Sequence, residues 1–167
     1  GKLLWLHTAS NDKWTLFFPH AKRGVEAMKA MGILEHFQGT LCHDHWKPYF
    51  RFKCLHALCN AHHLRELERA GEHDGQQWAK KMQDLLLEMR EKTEKAGGHL
   101  ANDVAAEFVA RYRDTLAQGD LECPPPPPTR SDGKRGRVAK TKSRNLLERL
   151  REFEVETLRF MTDNLVP

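Results

Sequence analysis

Five consecutive prolines, Pro124–Pro128, constrain this chain more than any other feature. Proline fixes φ and has no amide hydrogen, so the run belongs to neither a helix nor a sheet. It predicts an extended polyproline II spacer. Both flanks read as helical. Before the prolines, Trp78, Met82, Leu85, Leu86 and Met89 recur at helical spacing over 75–96, and Phe108, Val109, Tyr112 and Leu116 do so over 101–118. Gly97-Gly98 separates the two stripes. After the prolines, Leu146, Leu147, Leu150, Phe153, Leu158, Met161 and Leu165 predict one helix of about twenty residues. Together the stripes suit a long helical arm packed on itself.

The first 70 residues follow another pattern. Lys2–Ala9 and Trp14–His20 read as strands joined by Ser10-Asn11-Asp12-Lys13, which predicts a hairpin. Val25, Met28, Met31 and Leu34 predict a helix over 23–37, closed by Gly39. Thr40–Cys42 is a short strand, Trp46–Arg51 a connection, Phe52–Leu58 a second strand, and Asn60–Arg69 opens a helix. This order predicts an α/β fold, a mixed sheet with helices against it. The expected organisation is a core over 1–70, a helical insertion over 71–122, a polyproline and basic linker over 123–144, and the last helix over 145–167.

No apolar run approaches the ~18 residues of a membrane span, and no signal-peptide pattern opens the chain. The strand-like start and the absence of an initiator Met suggest a piece of a longer protein. Four cysteines are too few for a disulfide framework, which suits a reducing, cytosolic setting. Net charge is +4, but residues 130–144 alone hold seven cations against Asp132, so the remainder is slightly acidic.

Four groups of residues carry chemistry. Asp44 follows directly on a strand, where α/β sheets place their sites. It is either a metal-binding carboxylate or a cap on the turn behind it. The run Cys54-x-His56-x-x-Cys59-x-x-His62 has close Cys and His spacing. Cys59 and His62 are zinc ligands only if two more donors join them. Otherwise Cys59 packs in the core and His62 is hydrogen-bonded nearby. Arg130, Lys134, Arg135, Arg137, Lys140, Lys142 and Arg144 read as an electrostatic footprint for nucleic acid or as a solvated loop. Arg65 falls about one helical turn beyond His62, able to reach a phosphate near Asp44. Glu66, Glu68 and Arg69 read as surface pairs.

The runs His43-Asp44-His45-Trp46-Lys47-Pro48-Tyr49, Leu58-Cys59-Asn60-Ala61-His62-His63-Leu64-Arg65-Glu66-Leu67 and Arg159-Phe160-Met161-Thr162-Asp163-Asn164-Leu165-Val166-Pro167 resemble bacterial insertion-sequence transposases of the insertion-sequence-66 type. So does the opening Lys2–Ala9. The resemblance runs from end to end. It implies an RNase H-like mixed sheet, lacking here its first strand and last helix, and a DDE site using Mg²⁺ or Mn²⁺. Asp44 matches the second Asp of that site, and Cys59 and His62 match the family's Cys-x-x-His element. The first Asp is expected before Gly1 and the Glu after Pro167, which leaves one of three carboxylates in the chain. The resemblance further implies transposon-end and target DNA as partners, a homo-oligomeric active complex, and a cytoplasmic, nucleoid-associated setting without a membrane. Two other readings are a non-catalytic nucleic-acid-binding module, stabilised or not by zinc, and an inactive remnant.

Overall fold

The computed structural model describes residues 1–127 and 138–166. The chain divides into two compact units, Gly1–His56 and Ala57–Pro167.

The first unit opens with β1 (Trp5–Ser10) and β2 (Thr15–His20), an antiparallel pair in which Trp5 faces His20 and Ser10 faces Thr15. The turn is built by Asn11. Its side-chain oxygen accepts the amides of Lys13 and Trp14 at 2.9 and 2.8 Å, and its own amide donates to the Trp14 carbonyl. Helix α1 (Val25–Ala30) follows. It stops well short of the predicted 37 because Gly32 adopts φ +74°, a left-handed turn that ends the helix. Leu34 nevertheless reaches the core that its spacing announced, packed with Met28 and Phe52.

β3 (Thr40–His43) pairs with β4 (Leu55–Leu58) in a second two-stranded sheet. Between them lies a 3₁₀ turn, Lys47–Arg51, with Pro48 in its first positions, where a fixed φ and a missing amide cost nothing. Phe52–Cys54 stay outside the strand predicted over 52–58. The single mixed sheet expected from the sequence is not formed among the described residues. The two ladders remain separate. The hairpin accordingly keeps large apolar side chains in solvent: Leu6 is 64% exposed, Phe17 62% and Trp14 78%.

The second unit is helical: α2 (Asn60–Asp74), α3 (Gln77–Lys95), α4 (Asn102–Glu122), α5 (Lys142–Glu152) and α6 (Glu154–Leu158), with a 3₁₀ turn over Arg159–Met161. The predicted stripes form one core in which Trp78, Met82, Met89, Tyr112, Leu147 and Leu150 lose all contact with water. Leu67 and Ala70 of α2 join it, and α2 packs against α3 and α5. The compact division falls ahead of α2. Helix α3 is capped from a distance. Glu122, at the end of α4, accepts the amides of Gln77 and Trp78 at 2.7 and 3.1 Å, satisfying donors that open every helix.

The last helix is not continuous. Phe153, at φ −113° and ψ 38°, leaves helical geometry between α5 and α6. The Leu150 carbonyl, ordinarily owed to the amide four residues on, accepts the hydroxyl of buried Tyr112 at 2.8 Å. The polyproline run is described only over Pro124–Pro127, and of the basic segment only 138–144 are described.

Candidate active site

Asp44 is placed by the end of β3 and the 3₁₀ turn after it. Its carbonyl and its Oδ1 both accept the amide of Trp46, at 2.7 and 3.2 Å. The carboxylate thus also accepts the Trp46 amide, while the half-buried side chain keeps further lone pairs available.

Behind Asp44 lies a closely packed ring cluster. His43 is only 6% exposed, and its ring lies 4.8, 4.9 and 5.2 Å from those of Tyr49, Phe50 and His56. Its Nδ1 contacts the Asp44 carbonyl, its Nε2 lies 3.0 Å from His56 Nδ1, and His56 Nε2 lies 3.2 Å from the Phe52 carbonyl. A carbonyl oxygen only accepts, so both outer nitrogens of this chain donate. His43 thus holds the Asp44 carbonyl and His56 holds that of Phe52, with the two inner nitrogens facing each other at 3.0 Å. Burial raises the Tyr49 hydroxyl above its ordinary pKa, the Asp44 carboxylate adds to that, and Arg23 opposes it. Burial also raises the Cys54 thiol.

Cys59, His62 and Arg65 belong to the second unit. Cys59 holds the N-cap position of α2 and makes no side-chain cap bond, while its carbonyl accepts the His62 amide at 3.0 Å. His62 and Arg65 are exposed. The buried histidine is the next one: His63 Nδ1 meets Asn60 Oδ1 at 3.1 Å, and Asn60 Nδ2 donates to the Thr157 carbonyl at 2.9 Å. This pins the start of α2 to α6. Glu66 pairs with Arg149 inside the unit.

No group of three or more His, Cys, Asp or Glu among the described residues is placed to hold a metal ion. A structural zinc needs four donors, and no such set gathers around Cys59 and His62 among the described residues. Asp44 offers the hard oxygen that Mg²⁺ or Mn²⁺ prefers, and among the described residues it belongs to no group of three or more such donors.

The basic residues do not behave as one set. Arg130, Lys134, Arg135 and Arg137 lie outside the described residues. Lys140 is paired with Glu148. Lys142 is exposed at the start of α5. Arg144 is 7% exposed, and its guanidinium binds Asp120 at 2.7 Å, Glu148 at 2.9 Å and the Cys123 carbonyl at 3.0 Å. It is a packing residue between α4 and α5, which corrects its reading as a surface DNA contact. Nothing in the charge run distinguished it. The helical spacing from Arg144 to Glu148 was the available signal. Sequence reasoning also missed Arg23, whose guanidinium lies over the rings of Trp46 and Trp5. No local pattern announces a stack between residues so far apart in the chain.

No helix among the described residues is long and apolar enough to cross a membrane. Neither a curated protein nor a solved structure matches the chain. A family model does, over residues 1–167, and it is described as the IS66 family of transposases. The match spans the strand that ends at Asp44, the Cys59–His62 turn and the whole helical unit, so the chain belongs to the IS66 transposase family.

Proposed function

We propose that this chain is the central part of a DDE transposase catalytic domain on an RNase H-like fold, with Asp44 as the middle carboxylate of the site. The parent reaction cuts transposon-end DNA and joins the freed 3′-hydroxyl to target DNA. The family match over the full chain carries the proposal. The position of Asp44 supports it: the residue directly follows β3, and its backbone is held by His43 and the Trp46 amide. The two unjoined ladders also suit a larger sheet whose middle strand is not among the described residues. Asp44 would hold one divalent ion of a site whose other carboxylates these residues do not supply. Such ions activate the attacking oxygen and stabilise the leaving one. His62 and Arg65, exposed on the first turns of α2, are proposed DNA-facing residues. The complete transposase is proposed to act as a homo-oligomer on DNA.

The test is Asp44→Asn in the complete transposase. Strand cleavage at transposon ends is expected to disappear while DNA binding persists. Unchanged cleavage would remove Asp44 from the site.

A further inference from the structure

The first unit carries a cation that the Asp44 site does not use. Arg23 stands in the connection between β2 and α1 and is exposed. Its guanidinium carbon lies 4.3 Å from the centroid of Trp46 and 5.4 Å from that of Trp5. Among the described residues no carboxylate pairs with it, whereas the adjacent Lys22 is taken by Glu26 at 3.0 Å. An arginine stacked on an indole uses the face of its π system and keeps its N–H edge free. That edge matches the paired oxygens of a phosphate.

The segment bearing Arg23 is held on both sides. The Lys22 amide donates to His20 Nδ1 at 3.0 Å, and His7 Nε2 donates to the Lys22 carbonyl at 3.1 Å. Beyond it, the Gly24 carbonyl accepts the amides of Ala27 and Met28 at 3.0 and 3.2 Å. A cation fixed in this way loses little freedom when it binds. Its platform, Trp46, is the residue whose amide is bonded to Asp44, and the Tyr49 hydroxyl senses both Asp44 and Arg23. An unpaired guanidinium and a strand-end carboxylate therefore border the same aromatic patch.

We propose that Arg23, stacked on Trp46 beside Asp44, binds a backbone phosphate of the DNA strand that this face receives. The assignment rests on DNA being the partner, as proposed above. A stack that only tied the loop down would leave the salt dependence of DNA binding untouched, whereas a phosphate contact adds to it.

The experiment measures binding of a labelled DNA duplex to this chain by fluorescence anisotropy across a salt series. It compares the native protein with Arg23→Gln, Arg23→Lys and a variant neutralised at Arg130, Lys134, Arg135 and Arg137. Circular dichroism checks that each variant folds. For Arg23→Gln, affinity at low salt is expected to fall roughly 5- to 10-fold, and the slope of log affinity against log salt to flatten by about 0.9, one phosphate contact. Arg23→Lys keeps the charge but loses the stacked fork, so it should bind about 2- to 3-fold more weakly at the native slope. Native slope in Arg23→Gln, with binding lost in the neutralised variant, overturns the Arg23 assignment and leaves DNA as the partner. Native affinity in Arg23→Lys overturns the stacked-fork geometry, even if the Gln variant fails to fold. No salt-dependent binding by the native chain overturns both proposals.

Discussion

Gly119 shows how much a single buried position decides. It lies inside α4, where glycine costs about 1 kcal/mol relative to alanine, so the helix alone would favour replacement. A Cβ placed there would stand 2.6 Å from Leu147 Cδ1 and 3.0 and 3.1 Å from ring atoms of Trp78. Trp78 is fully buried and has no room to withdraw. Overpacking of a filled core costs about 1–3 kcal/mol, which outweighs the helical gain. Gly119→Ala is therefore expected to destabilise the protein by about 1 kcal/mol in urea unfolding; a stabilised variant would show that α4 and α5 move apart easily. The residue scale also marks the limits of motif reading. Asp44 was legible because a strand-end carboxylate is a local feature. Of the neighbouring His62 and His63, the motif points to the first, while the fold buries the second against Asn60.

At the scale of elements, α4 and α5 are joined by charge as well as by apolar packing. Asp120 accepts Arg151 and Arg144, and Glu148 accepts Lys140 and Arg144. The Cys123 thiol meets the Thr141 hydroxyl at 3.4 Å, and Thr141 caps α5 by accepting the Arg144 amide at 3.0 Å. Cys123 and Thr141 thus meet at one place on the helical unit. The hydrogen bonds from Lys140 and Arg144 hold Glu148 below its ordinary 4.5. Burial works to raise Asp120, but Arg151 and Arg144 outweigh it and hold the carboxyl below its ordinary 3.8. A carboxyl lowered in the folded state contributes stability above its unfolded pKa and loses it as pH falls through the folded value. The thermal midpoint should therefore fall once pH drops below about 4.5, with a shallower fall in Arg144→Met. Equal acid sensitivity in that variant would remove this network as the cause. Periodicity located α3 and α4 well because their apolar stripes are long. It overran α1 and the final helix because their ends depend on Gly32 and on the bond from Tyr112 to Leu150, neither visible in a hydrophobic pattern.

For the molecule as a whole, function turns on where its positive charge is free. Lys140 and Arg144 are engaged inside the helical unit, which leaves exposed Lys142 together with Arg130, Lys134, Arg135 and Arg137 as the proposed phosphate-tracking set. Neutralising Arg130, Lys134, Arg135 and Arg137 should flatten the salt dependence of DNA binding by up to about 3.6 log units per log unit of salt if all four contact phosphates. An unaltered slope would make the segment a solvated loop. The α/β content, the helical stripes, the break at the prolines, Asp44 at a strand end and the family kinship were all determined by the sequence alone, because each depends on residues near one another in the chain or on a pattern spanning it. Only the tertiary structure decided that the two ladders stay separate, that Arg144 is buried, that the His43 ring meets His56, and that Arg23 rests on Trp46. Those outcomes join residues distant in sequence, and no local spacing encodes which partners the folded chain brings within reach.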